Sequence, residues 1–337
     1  MRGPVARLIA NEYRFGLSPR RALPFALLTA VVVTLAACGG GSSATTSSST
    51  ASEAPSQGAS AQERAAVVVT YPVLGSVVRE VVGDAADVTV LMPNGADPHE
   101  WSPSAKDIET MLAADLVIDN GLGLEGNLQD PLAEAKAQGV DVFTVADHIT
   151  VRKVKAGEGA ELDDPDQAPG AEDPHLWMDP LTMKEWVAPL VTALDTAGVD
   201  TGDNGTTVEA ELDALNAEVA DILETVPADR RKLVTGHESL GYLAERYGYT
   251  LVGAVIPAIT SQAEASAGEL AALAEKITAA GVPAIFTEIG TPAATVEAIA
   301  ADTGAEVVEL STHTLPDDQT YRTFMIDIAN LISGALR

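Results

Sequence analysis

Two stretches of the chain repeat one short pattern. Asp-Pro-His-x-Trp stands at 97–101 in "GADPHEWSPSAKDI" and again at 173–177 in "EDPHLWMDP". The chain has five histidines, and this pentad uses two of them, His99 and His175. A proline before each histidine holds the backbone in one geometry, and the nearby tryptophan excludes water and restricts the imidazole. The aspartates, Asp97 and Asp173, have the commoner task of capping a turn. Two more histidines follow strand-like runs: His237 in "KLVTGHESLGYL" and His313 in "AEVVELSTHTLPDD". Imidazole is a good zinc ligand, and a closed zinc site takes four ligands in a tetrahedron. His148, in "VADHITV", has no partner motif and reads as a surface or hydrogen-bonded histidine.

The elements that must position these side chains alternate in type. Apolar, β-branched runs at 66–70, 87–92, 115–120 and 140–146 are separated by helical patterns at 73–82, 104–114 and 128–138. The second half repeats this order. Its strands are predicted at 232–236, 250–256, 283–288 and 305–311, and its helices at 238–247, 265–280, 292–303 and 321–336. Two helices without a strand, 181–195 and 207–225, lie between the halves. Continuous apolar strands alternating with helices predict α/β architecture, with parallel sheets covered on both faces. All four histidines fall beyond the carboxyl ends of predicted strands, two in each half. That edge is where open α/β sheets bind ligands. If the two lobes face each other along those edges, four imidazoles converge in one cleft.

The N-terminus is a targeting segment. Arg2, Arg7, Arg14, Arg20 and Arg21 precede the apolar run "ALPFALLTAVVVTLA", which is shorter than a bilayer span and ends at "LAAC". That pattern predicts a lipoprotein signal at 1–37, with Cys38 as the site of lipid attachment. Cys38 is the only cysteine, so no disulfide can form. The Ser/Thr/Gly/Ala-rich segment 38–65 reads as a flexible tether. Roughly 270 residues remain, enough for two lobes of ordinary size. The predicted organisation is an N-terminal lobe at 66–181, a linker helix at 182–200 and a C-terminal lobe at 201–337. Formal net charge is −29, and removing the five leader arginines makes the remainder more acidic still. Such a surface repels nucleic acid and anionic lipid and attracts cations.

The motifs resemble a known family. "GADPHEWSPSAKDI", "DPHLWMDP", "VTGHESLGYLAERYGY" and "AIFTEIG" are together similar to the metal-binding lipoproteins of bacterial zinc and manganese ABC importers, also called cluster A-I or cluster nine. The resemblance covers 66–336. It implies two (β/α)4 lobes, mainly parallel, joined by a long rigid helix, here within 183–195. By motif it carries the metal ligands onto His99, His175 and His237. At the third position the zinc-binding members are similar, and the manganese-binding members usually carry glutamate. The fourth ligand of the family is normally an aspartate after the last strand. Here His313 stands in its place, with Glu288, Asp317 and Asp318 as rivals. Zinc members often carry a His/acid-rich loop before the second ligand. The corresponding stretch 155–173 holds seven acids and no histidine, and reads equally as a cation collector or a solvated insertion.

Two enzyme readings compete. Ser239 in H-x-S-x-G, followed by Glu288 and His313, has the residue order of an α/β-type serine hydrolase. Against it, His237 replaces the first small residue of the elbow, and both pentads go unexplained. A zinc hydrolase needs H-E-x-x-H, and neither "HEWSP" nor "HESLG" supplies the second histidine. The expectation is therefore not an enzyme. It is a monomeric zinc receptor outside the cytoplasm, anchored to the membrane by lipid, that delivers Zn2+ to an ABC transporter permease. Mn2+ is the alternative cargo. Zinc is preferred because nitrogen-rich sites suit it, whereas manganese favours oxygen.

Overall fold

A computed structural model describes residues 64–155, 158 and 169–337. The predicted signal segment, Cys38, the tether before Arg64 and most of the acidic stretch lie outside the described residues.

The first sheet consists of β1 (Ala66–Val69), β2 (Asp87–Val90), β3 (Leu116–Asp119) and β4 (Asp141–Thr144), all parallel, in the order β2-β1-β3-β4. The second is built the same way from β5 (Lys232–Thr235), β6 (Thr250–Ala254), β7 (Ala284–Thr287) and β8 (Glu306–Glu309), in the order β6-β5-β7-β8. In each sheet the order reverses between the first and third strands. That is the switch point at which the loops splay apart and leave a crevice. The helices between strands are α1 (Pro72–Val82), α2 (Ala105–Leu112) and α3 (Gln129–Gln138) in the first lobe. In the second they are α7 (Gly241–Tyr247), α8 (Ala267–Ala280) and α9 (Ala293–Thr303).

Local sequence explains these boundaries. Central β3, "LVID", is buried throughout, as a strand covered on both faces must be. Pro72 starts α1, where its missing N–H costs nothing. Ser104 with Asp107, and Ser266 with Glu269, form reciprocal capping boxes that begin α2 and α8.

Between the sheets run α4 (Pro180–Glu185), α5 (Val187–Thr196) and α6 (Asn204–Glu224), and α10 (Tyr321–Leu336) ends the chain. Where the sequence suggests one linker helix over 182–200, the structure has two, interrupted at Trp186. Pro189 accounts for the break: it has no N–H to give the carbonyl of Glu185, and its ring crowds that carbonyl. The longest helix among the described residues is α6, with 21 residues, and it packs against α1 of the first lobe and α7 of the second. The apolar core is continuous across this bridge. Val69 and Ile118 of the first sheet, Trp177, Trp186 and Leu212 of the bridge, and Leu233 and Phe286 of the second sheet belong to one cluster. Polar ties add to it. Asn94 exchanges two hydrogen bonds with the backbone of Leu315 (2.9 and 2.8 Å), and Ser261 donates to Asp97 at 2.7 Å. Wide separation of the lobes would expose that core and break these ties, so both oppose it.

Candidate metal centre

Each of the four expected histidines follows the carboxyl end of a strand: His99 after β2, His175 after β4, His237 after β5 and His313 after β8. The repeated pentads fold alike. Asp97 Oδ1 accepts the backbone N–H of His99 at 2.9 Å, and Asp173 Oδ1 accepts that of His175 at 3.0 Å. Each aspartate thus closes a tight turn over its proline and fixes where the histidine begins. The capping role anticipated for these aspartates is real, and Asp173 adds a second, side-chain contact described below.

The imidazoles meet between the lobes. His175 Nε2 lies 3.3 Å from His99 Nε2 and 3.1 Å from His237 Nε2. A zinc ion held by imidazole nitrogens at about 2.0–2.1 Å in a tetrahedron separates those nitrogens by roughly 3.3 Å. The spacing is that of ligands around a common point. His313 completes the cluster. Its ring centroid lies 5.6 Å from that of His237 and 6.2 Å from those of His99 and His175, and its Nε2 is buried with no hydrogen-bond partner. Among the described residues, those able to share one ion fall into two overlapping sets, His99/His175/His237 and His237/Glu288/His313. His237 belongs to both.

The ring nitrogens turned away from this point have their own partners. His175 Nδ1 lies 2.9 Å from Asp173 Oδ1, and His313 Nδ1 lies 3.2 Å from the Tyr71 hydroxyl. His237 Nδ1 is 2.9 Å from Glu288 Oε1, but the approach misses hydrogen-bond alignment, so the contact is one of charge. Glu288 is itself fixed. It accepts both the Ser239 hydroxyl (2.8 Å to either oxygen) and the backbone N–H of His237 (3.1 Å), with Thr312 Oγ1 on Oε2. Such outer partners set which nitrogen carries the proton and leave the other lone pair for a metal.

The electrostatics favour neutral imidazoles. Burial, then the neighbouring imidazoles, hold His99 well below the ordinary histidine pKa. Burial lowers His175 despite Asp173, and pushes His313 down to about 3. His237 is the exception. Burial pushes it down, but the Glu288 carboxylate and more distant acids outweigh that and raise it. Burial alone would raise Glu288, yet His237, His313 and the Thr312 hydroxyl hold it well below the usual carboxylate range. Neutral imidazoles are what a metal requires, because a protonated nitrogen has no lone pair to give.

The remaining expected residues separate cleanly. Asp317 and Asp318 are exposed, and Asp318 accepts from Thr320 and Thr323 at the start of α10. Neither is among the groups that could share an ion, so Glu288 is the surviving rival to His313. His148 is exposed and stacks on Phe143, centroids 4.4 Å apart. The hydrolase order fails on geometry. Ser239 donates to Glu288, so the acid rather than an imidazole holds the hydroxyl, whereas a triad needs the imidazole between them. Tyr71 and Arg152 escaped the sequence reading. Tyr71 stands directly past β1, at the same carboxyl edge as the histidines, and that position was the available clue. Arg152 lies outside any motif; only its distance of 3.0 Å to Asp173 reveals it.

His99 is 7% exposed and the other three 1% or less, so His99 is the most solvent-exposed of the four imidazoles. A cavity there is bounded by His99, Leu122 and Gly123 of one lobe and Ile259, Thr260 and Gln262 of the other.

The chain is similar to known proteins in sequence and in fold. The chain is 29% identical over 248 residues to the zinc-binding protein TroA of Treponema pallidum, covering 72% of this chain and 76% of that one. It is 26% identical over 245 residues to the manganese-binding lipoprotein MntA of Halalkalibacterium halodurans, covering 72% and 76%. Among solved structures, the periplasmic zinc-binding protein TroA of Treponema pallidum superposes with a TM-score of 0.68 at 26% identity, over 81% of this chain and 99% of that one. A crystal structure of ZnuA gives a TM-score of 0.67 at 27% identity, over 82% and 100%. The family model described as zinc-uptake complex component A, periplasmic (ZnuA) matches residues 67–335. With the match running through both lobes and all four histidines, the chain belongs to that family of metal-binding components of ABC importers.

Proposed function

We propose that this protein captures Zn2+ outside the cytoplasm and delivers it to an ABC permease, with His99, His175, His237 and His313 as the ligands. The observation that carries the reading is the pair of Nε2 separations, 3.3 and 3.1 Å, beside a fourth buried imidazole nitrogen without a partner. Relatives named for zinc and for manganese are both similar to this chain. Ligand chemistry supports zinc: an all-imidazole set suits it, and manganese favours oxygen donors. Four such ligands fill a tetrahedron and leave no open position for water, which supports carriage rather than catalysis. The ion's charge is offset nearby by Asp173 and Glu288, both buried against ligand imidazoles.

Metal analysis tests this. Protein purified without chelator should carry one equivalent of zinc, and a thousandfold excess of zinc over Kd should stabilise it by about 4 kcal/mol. Replacing His99, His175 or His237 by alanine should abolish most of that stabilisation. An undiminished zinc shift in all three variants would overturn the ligand assignment. Lipid attachment at Cys38 and a monomeric state belong to the same proposal. Cys38→Ser should release the protein from the membrane fraction, and retention there would refute the anchor.

A further inference from the structure

His175 differs from the other three imidazoles in what stands behind it. Asp173, fully buried, receives the His175 backbone N–H and faces its Nδ1 with one oxygen, while its other oxygen accepts from Arg152 Nη1 at 3.0 Å. Arg152 is itself buried and also reaches Glu158 and Glu245. Among the described residues, no arginine or lysine ion pair stands behind the other three ligand imidazoles. The pair closes the neck of the acidic stretch. Asp173 N–H donates to the Arg152 carbonyl at 2.9 Å and Val154 N–H to that of Ala171 at 2.9 Å, with an antiparallel bridge between Lys153 and Glu172.

The other lobe supplies the seat. Tyr242, on α7, accepts the Arg152 backbone N–H at 3.0 Å and donates to the Asp173 carbonyl at 3.2 Å. Beside it, Gly241 has no room for a side chain. A Cβ there would lie 2.3 Å from Arg152 Nη1 and 2.4 Å from Asp173 Oδ2. Its backbone is ordinary helix, so the glycine is explained by the volume of the ion pair and not by a turn. The Arg152–Asp173 pair therefore packs directly against the start of α7 of the second lobe, which also holds the backbone of both residues through Tyr242.

We infer that Arg152 is a positioning residue for metal retention: seated on Gly241, it holds Asp173, and through Asp173 it fixes the orientation of His175 and ties that ligand to the contact between lobes. This rests on the zinc-carrier reading above. An uncompensated, fully buried carboxylate is costly, so without the guanidinium Asp173 loses the contact that fixes its orientation, and His175 loses its orienting partner. Loss of such an outer contact typically weakens metal binding about 10–100-fold.

The test compares wild type with Arg152→Met, Arg152→Lys and Gly241→Ala in the full chain. Zinc release to an excess of chelator gives the rate, and the visible spectrum of the Co2+-loaded protein reports ligand geometry. Arg152→Met and Gly241→Ala should each still bind one zinc, release it roughly 10–100-fold faster and alter the Co2+ bands, with Arg152→Lys intermediate. Gly241→Ala is the sharper variant, because alanine favours helix and every charged group is retained. If both Arg152→Met and Gly241→Ala release zinc at the wild-type rate with an unchanged Co2+ spectrum, the inference is overturned while the zinc site stands. A loss of thermal stability at wild-type release rate and spectrum would make the pair merely structural, and also overturns it. A wild type that takes up no zinc refutes the carrier reading and this inference together.

Discussion

The indole N–H of Trp177 donates to the backbone carbonyl of Thr312 at 2.9 Å, tying the second pentad to the residue before His313. The same ring lies 5.3 Å from His175 and 5.5 Å from His313, centroid to centroid, and 4.7 Å from Tyr71. One side chain thus packs against a ligand from each lobe and keeps water from both. Trp177→Phe preserves an aromatic surface and removes only the donor and some volume. Leaving a buried carbonyl without its partner costs about 1–3 kcal/mol. Thermal denaturation of the zinc-free protein should show a loss of that order, and zinc release should quicken. An unchanged melting temperature would mean the hydrogen bond is replaced by another.

The fourth ligand position determines which ion is preferred. His313 faces the cluster with a partnerless Nε2, and Glu288 stands 3.9 Å from that atom. Replacing His313 by aspartate exchanges a neutral nitrogen for a charged oxygen, which manganese prefers. Competitive titration of zinc and manganese should show the manganese-to-zinc affinity ratio rising at least about tenfold in His313→Asp, on the scale of a ligand-set change. An identical ratio in both proteins would exclude His313 as a ligand and leave Glu288 to complete the set.

Tyr71 should act through the proton on His313. If Nε2 binds the ion, Nδ1 carries the hydrogen and donates it to the Tyr71 oxygen, 3.2 Å away. Burial raises the Tyr71 pKa well above its ordinary value, so it stays an uncharged phenol at neutral pH. Tyr71→Phe keeps the ring packed on Trp177 and leaves the Nδ1–H without an acceptor. Zinc affinity should fall about tenfold, the lower end of the range for an outer partner. An unchanged Kd would show that water or another group satisfies Nδ1.

Much of this was legible in the sequence because it depends on periodicity and local turns. Eight strands, their parallel arrangement and the placing of four histidines at carboxyl edges follow from apolar runs such as 66–69 and 116–119. The pentads announce their turns because proline and aspartate act on neighbouring backbone. The division of the linker at Trp186 was also encoded, in Pro189, but helical periodicity across 181–195 concealed it. Contacts between distant parts of the chain were not legible. Tyr71 and His313 are 242 residues apart, and no local pattern says that they touch. Gly241 shows the limit best. In "HESLGYL" it looks like part of a strand-to-helix elbow, and only the three-dimensional structure shows the Arg152–Asp173 pair that occupies the space of its missing side chain.

Acid should undo the zinc-free fold through these same imidazoles. His313 is held at about 3, chiefly by burial, and His99 and His175 are also held below the ordinary value. On unfolding, each returns to about 6.5. Below that pH the unfolded chain binds more protons than the folded one, so stability falls as pH drops from about 6.5 toward the folded values. Each imidazole that stays neutral in the fold contributes up to about 1.4 kcal/mol per pH unit in that window. His237, whose pKa is raised, works in the other direction: its contribution is complete below about 6.5 and is lost as pH rises through its folded value. Glu288 is depressed, so its contribution is lost only at lower pH, as carboxylates protonate. Between about pH 5 and 6.5, His99, His175 and His313 tilt stability upward with pH, while the carboxyls of Glu80 and Glu125, pushed up to about 7 chiefly by burial, tilt it the other way. Urea denaturation of the chelator-treated wild type and His313→Asn across that range isolates the His313 contribution, because the opposing carboxyls are common to both. In His313→Asn the slope of stability against pH should be less positive by up to about 1.4 kcal/mol per pH unit, one proton's worth. An equal slope in the two proteins would mean that His313 is not held neutral in the folded, zinc-free state, and that the site must shed a proton from it before zinc can bind.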